Sequence, residues 1–223
     1  MVKPAKWIDL LALIFSLLII AGAVFLTIHN GLFSTAALST DSKLAWHLTR
    51  SAGISSYFLL LASMVWGLFI SGQYVKDWSP GALSLTMHSA ISWLALIFGF
   101  THALLLLGDS YYHYIISDLL IPFTGPYRPL AAGLGTLAFW LLLVVTLSFQ
   151  IKRRIGHRAW KWIHMASYGA FAMVTLHGLT AGTDGGLLGF RLLIGGGVLL
   201  VVLLLGIRMG KDQGRSVSRT ARP

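Results

Sequence analysis

Eight histidines occur in the 223-residue chain. Four of them, His88, His102, His164 and His177, stand inside long apolar runs. An ionisable side chain within an apolar run is costly to keep there, and such groups usually face the interior of a bundle and serve function. A lone buried histidine is most simply a hydrogen-bonded packing residue. Two pairs in two runs call for more. Within each pair the residues are 14 and 13 positions apart, which along a helix amounts to roughly 20 Å. Imidazole is a metal ligand and a proton carrier, so the spacing has to be weighed against both kinds of chemistry. Zinc or copper ligands converge on one ion, and two levels about 20 Å apart cannot form one such site. A proton relay usually alternates histidine with carboxylates, and the apolar runs hold almost none; Asp9 lies at an end.

The elements that carry these residues follow from composition. The chain is 56% hydrophobic and only 11% charged, against about 25% charged in a soluble domain. A bilayer-spanning helix needs roughly 20 predominantly apolar residues. Six candidates satisfy this: about Trp7–Ile28, Trp46–Ile70, Leu83–Leu107, Leu130–Ile151, Trp160–Ala181 and Leu187–Ile207. The first follows a basic start, but its apolar run exceeds the ~7–15 residues of a signal-peptide core, so it reads as a retained helix. The expected fold is an all-α integral membrane bundle of six helices. The connections are short and rich in Gly and Pro. The longest, Gly108 to Pro129, includes the apolar piece Tyr114–Phe123, too short to span, which is expected at the interface or capping the bundle.

Charge gives an orientation. Lys and Arg accumulate in the cytoplasmic segments that flank membrane helices. With six spans both termini share a side, and that side holds thirteen of the seventeen Lys and Arg residues. The other holds Lys43, Arg50, Arg128 and Arg191, balanced by Asp41, Asp109, Asp118 and Asp184. The whole net charge of +10 therefore falls on one face, and both termini are expected to be cytoplasmic, in a multi-pass protein of the cell inner (plasma) membrane. The basic stretch Ile151–Lys161 and the basic tail 208–223 are expected to meet anionic lipid headgroups, and an acidic soluble partner would also fit there. Nucleic acid is excluded as a partner, because the positive charges sit between apolar runs rather than on one folded basic face.

Alternating spans make the third and fifth helices run the same way. His88 and His164 then share the inner level, and His102 and His177 the outer level. Two b-type haems stacked along the membrane normal fit this order, each iron taking one imidazole from either helix. The absence of cysteine excludes disulfides, Cys-ligated clusters and covalent c-type haem. One difficulty remains open at this stage. Fourteen residues return to within about 40° of the starting face, whereas thirteen land roughly 140° away. The fifth helix must bend, for which Ser167 and Gly169 between the pair give room, wind unevenly, or send its imidazoles around different sides. His29, His47, His113 and His157 read as solvated or interfacial.

At these residues the chain resembles the ferric reductase-like transmembrane domain, shared by ferric reductases, NADPH oxidases and small bacterial haem b cytochromes. The pairs His88–His102 and His164–His177 match both of that family's histidine gaps. The runs His164-Met-Ala-Ser-Tyr and His177-Gly178, Arg50 within Leu48-Thr-Arg-Ser-Ala-Gly, and Ile121-Pro-Phe-Thr-Gly-Pro-Tyr-Arg-Pro are also similar. The resemblance covers a core of about 46–184 within a single domain over 1–223. It implies a six-helix bundle, two non-covalent haem b groups and iron ligation by His88, His164, His102 and His177. It also implies that Arg50 lies near the outer haem. Arg128 is a candidate outer propionate partner from charge and position, and Arg158 and Lys161 are the inner counterparts, which positive-inside anchoring explains at least as well.

Two departures from the family narrow the expectation. No G-x-G-x-x-G unit appears, so a flavin enters only through a partner: a separate flavoprotein or a membrane quinol is the expected donor. NADPH oxidases carry a further histidine one turn past the outer ligand of the third helix, where this chain has Leu106. Electrons are expected to enter at His88/His164 and leave at His102/His177 for an acceptor at the outer face. The alternatives are a membrane electron donor to a periplasmic methionine-sulfoxide-type reductase, a haem-bearing or structural subunit of a larger respiratory or photosynthetic complex, and a haem-free transporter or scaffold.

Overall fold

A computed structural model describes residues 44–109 and 111–220; the first expected span, Trp7–Ile28, lies outside them. Among the described residues the structure is all helical. The helices are α1 (Leu44–Ser71), α2 (Gly81–Leu105), α3 (Ile116–Leu120), α4 (Pro129–Ser148), α5 (Lys152–Ile155), α6 (His157–Thr180) and α7 (Leu188–Thr220). A 3₁₀ turn at Leu106–Gly108 extends α2, and another at Thr183–Gly186 joins α6 to α7.

The boundaries follow local chemistry. Pro80 precedes α2, and Pro129 opens α4 from its first turn, where the missing N–H costs nothing. Arg128, just before it, is left-handed with φ 41°. Gly156, with φ 81°, turns the chain sharply between α5 and α6, a conformation that favours glycine.

Among the described residues, four helices are long and apolar enough to cross a membrane, over Trp46–Ser71, Gly81–Gly108, Pro129–Ser148 and Leu188–Gly210. Large apolar side chains such as Ile97, Phe100, Val144 and Leu192 stand exposed along them. Exposed apolar surface on this scale marks contact with lipid rather than water, and the chain is a membrane protein. The helix α6, which carries His164 and His177, is not one of the four. Its 24 residues are long enough; its composition falls short even beyond the basic first turns, because His164, His177 and the Ser, Tyr, Thr and Gly residues among them lower its apolar content.

Two antiparallel hairpins organise the bundle. In one, α1 lies along α2; in the other, α4 lies along α6. Helix α7 packs against α1, and Gly197 allows the approach, since a Cβ there would come within 2.7 Å of Leu61. The core is a stripe of Tyr57, Leu60, Met64 and Leu68 on α1, meeting Ala95, Phe171, Ile194 and Val201. The steps of three, four and seven residues keep these side chains on one helical face.

The piece Tyr114–Phe123 runs beside α4. The Trp140 indole donates to the Leu120 carbonyl at 3.0 Å, and Phe123 packs on Gly133 so closely that a Cβ would collide with it. Ile115, Ile116, Leu120 and Ile121 are exposed, so the segment presents apolar side chains outward from the flank of the bundle. Tyr114 turns inward instead, and burial pushes its phenol above the ordinary value.

Candidate functional site

The four histidines within the apolar runs come together in two pairs. The His88 and His164 rings have centres 6.0 Å apart with planes crossed at 75°. The His102 and His177 rings are also 6.0 Å apart, crossed at 79°. Helices α2 and α6 therefore run in the same direction, and the two pairs occupy two levels, roughly 20 Å apart by helical rise. The backbones of α2 and α6 are held off each other, because α2 packs mainly on α1 and α6 mainly on α4. Between the levels, Phe171 stacks on Tyr57 with centres 5.9 Å apart, and the Tyr57 hydroxyl is 3.4 Å from that of Thr175.

A repeated local device seats three of the four rings. His102 donates from Nδ1 to the Thr49 carbonyl at 2.7 Å and lies against Gly53, four residues further along α1. His177 donates from Nδ1 to the Ala131 carbonyl at 2.8 Å and lies against Gly135, again four residues further along. His88 has its Nδ1 3.3 Å from the Ser63 hydroxyl and lies against Gly67, also four residues further. A Cβ on Gly53 or Gly135 would meet its ring at 2.8 Å, and one on Gly67 would meet His88 at 3.0 Å. Antiparallel register explains the pattern. Gly53 and Gly67 are 14 residues apart on α1, as His88 and His102 are on α2. On α4, Ser148 stands 13 residues after Gly135, matching the interval from His164 to His177 on α6. Ser148, buried and donating to the Val145 carbonyl at 2.7 Å, is the small residue that this register sets at the His164 position.

The hydrogen bonds also choose the tautomers. A carbonyl can only accept, so His102 and His177 carry the proton on Nδ1 and leave the Nε2 lone pair bare. For His88 the choice follows from a closed chain. Ser92 donates to the His88 carbonyl at 2.7 Å, so the Ser63 hydroxyl, 2.7 Å from that of Ser92, donates to Ser92. Ser63 is then left to accept from His88 Nδ1. His164 is held differently: the Trp160 indole stacks on it at 5.1 Å and 21°, with Lys152 Nζ 3.9 Å from the indole centre on the ring face. His157, exposed, adjoins the same indole at 5.5 Å.

Helix α6 is unbroken through Ser167 and Gly169. Along it, the two imidazoles lean on different neighbours. His177 reaches its partner from over Gly135 of α4, and His164 from over Trp160 of its own helix.

The cations singled out in the sequence fall into two groups. Arg50 adjoins Thr49 and donates to both Asp184 carboxylate oxygens from one edge of its guanidinium, Nε at 2.5 Å and Nη2 beside it; it also lies 5.3 Å from the Trp46 ring centre. Arg128 donates to the Thr180 carbonyl and lies 5.2 Å from the Tyr127 ring centre. Both thus flank the His102/His177 level. Arg158 and Lys161 are exposed near the start of α6, on the side of the His88/His164 level. His47 and His113 are exposed. Among the described residues no group of three or more His, Asp or Glu side chains is arranged to hold a metal ion.

The pair geometry defines what the site can hold. A metal binds an imidazole nitrogen at roughly 2.0 Å with the ring centre about 1.1 Å behind it, so two rings on opposite sides of one metal have centres about 6 Å apart. Both pairs have this separation. Two protein ligands are too few for zinc, which takes three or four. They suit a metal whose remaining positions are filled by a macrocycle, as in a bis-histidine haem. Two buried donors without partners among the described residues, Trp160 Nε1 and Thr49 Oγ1, lie one at each level and fit a group that brings its own acceptors. Compared with known proteins, the chain matches no family model, no curated protein and no solved structure.

Proposed function

We propose that the protein carries electrons across the cell inner (plasma) membrane through two non-covalent haem b groups, in the manner of the ferric reductase-like transmembrane domain. The observation that carries this reading is the pair of 6.0 Å histidine separations, equal at both levels. His88 and His164 would hold the cytoplasmic haem, and His102 and His177 the outer one. The haems would supply one-electron redox centres when bound; with two histidines held for each, the protein offers no ligand position to a substrate, and transfer would be outer-sphere. The protein's own work is to fix the ligands. Thr49, Ser63 and Ala131 set the ring tautomers, and such second-layer hydrogen bonds orient a histidine and raise its basicity toward the metal. The apolar helices keep water away from the site. Six spans with both termini cytoplasmic complete this reading. A separate flavoprotein or a quinol is the donor, and an acceptor waits at the outer face.

The test is an absorption spectrum of the purified chain. Reduced-minus-oxidised bands of low-spin b haem, with two haems per chain by pyridine haemochrome, are expected. His102→Ala or His177→Ala should remove one haem and leave the other. A preparation without haem, from cells that make haem normally, sinks the proposal.

A further inference from the structure

Among the described residues, each histidine level has one buried hydrogen-bond donor left over. At the His88/His164 level it is the Trp160 indole N–H, and at the His102/His177 level it is the Thr49 hydroxyl. Neither residue is remote from the ligands. Trp160 stacks on His164, and the Thr49 carbonyl receives the His102 Nδ1 proton. A buried polar group without a partner is costly, and native structures rarely leave one without a reason. The indole N–H can only donate, so the missing partner at Trp160 is an acceptor. Lys152 Nζ lies over the same ring at 3.9 Å, which favours an acceptor with negative charge. The cations expected from the sequence are less suited to this task. Arg50 is engaged by Asp184, Arg128 by the Thr180 carbonyl, and Arg158 and Lys161 are exposed.

The geometry points to Trp160 Nε1, supported by Lys152, and Thr49 Oγ1 as the residues that receive the carboxylates on the edges of the two bound tetrapyrroles. This rests on the reading of the histidine pairs as haem ligands. A carboxylate near the iron stabilises the ferric state, and a donor that draws off its charge favours the ferrous state. Removing the donor therefore lowers the midpoint potential of that haem.

Trp160→Phe keeps the stack on His164 and removes the N–H; Thr49→Val keeps the shape and removes the hydroxyl. Redox titrations of the full-length chain with both haems in place provide the readout, with each haem assigned through the histidine variants. Trp160→Phe is expected to lower the midpoint of the His88/His164 haem alone, and Thr49→Val that of the His102/His177 haem alone. Each haem should also pass to a scavenging apoprotein about tenfold faster. In chains reconstituted with the dimethyl ester of the haem, whose carboxylates are blocked, the difference between wild type and each variant should vanish. Midpoints that stay put, that move equally at both haems, or that still differ with the ester overturn the inference. Two haems with unmoved midpoints defeat it while sparing the haem reading; wild-type protein that binds no haem defeats both.

Discussion

Gly53, Gly67 and Gly135 are helix-interior glycines, which ordinarily destabilise a helix by about 0.5–1 kcal/mol relative to alanine. At these positions the missing Cβ is what the imidazole occupies, so the usual gain from Gly→Ala should be reversed. Gly53→Ala and Gly135→Ala place a carbon 2.8 Å from the ring and force it off its carbonyl. They are expected to displace the haem at the His102/His177 level, and the Val variants to reduce haem content from two per chain to one. Gly67→Val should do the same at the other level. Gly195→Ala, where nothing lies within 4 Å of the new carbon, serves as the control and should keep both haems. Haem stoichiometry and the split of the reduced α-band measure this; equal haem loss in Gly195→Ala would show that the glycines act through general helix packing. The histidines announced themselves by type and spacing, but these glycines did not. The sign was present all the same, since the interval from Gly53 to Gly67 repeats that from His88 to His102. Reading it requires knowing that α1 and α2 are antiparallel neighbours, which spacing alone does not give. Trp160 was hidden for a related reason: an aromatic residue at a membrane boundary is ordinarily an interfacial anchor, and only its stack on His164 and its unpaired N–H set it apart.

At the scale of elements, composition located every described span to within a few residues, because the length of an apolar run is set by bilayer thickness. The expected span Trp160–Ala181 is a helix of spanning length, α6, but not one of the four apolar enough to cross, since it trades apolar residues for polar and charged groups around its two histidines. The solution to its 13-residue interval was also beyond a helical wheel, because a wheel treats side chains as radial, whereas His164 and His177 lean on different neighbours. The clamp between Arg50 and Asp184 belongs to this scale too. It fastens α1 to the 3₁₀ turn between α6 and α7, beside the His102/His177 level. Its two halves are unequal: the Arg50 side chain is 38% exposed and that of Asp184 10%. A carboxylate left buried without its partner costs more than a guanidinium that water can reach. Arg50→Ala is therefore expected to destabilise the protein more than Asp184→Ala. The solvent-facing half limits the latter to about 1 kcal/mol. Thermal unfolding in detergent, followed by haem absorbance, checks the order; equal or inverted losses would show that Asp184 finds water or another donor when Arg50 is gone.

For the whole molecule, the direction of transfer depends on which histidine level faces the cytoplasm. Arg153, Arg154, Arg158 and Lys161 cluster at the end of the bundle that holds His88 and His164, whereas Asp109, Asp118 and Asp184 lie toward the other end. Positive residues are retained on the cytoplasmic side during insertion, so the proposed topology places the His102/His177 level at the outer face. The chain has no cysteine, which makes single-cysteine labelling clean. Ser117→Cys, in the connection between α2 and α4, is expected to react with a membrane-impermeant maleimide on intact cells. Lys161→Cys, at the opposite end, should react only after the membrane is opened. The reverse pattern would invert the bundle and put the electron acceptor in the cytoplasm, leaving the histidine pairs and their supports as described but exchanging the roles of the two levels. Labelling of both positions on intact cells would mean that the helices do not separate these segments across a membrane. The proposal of transmembrane electron transfer would then fail even if both haems were bound.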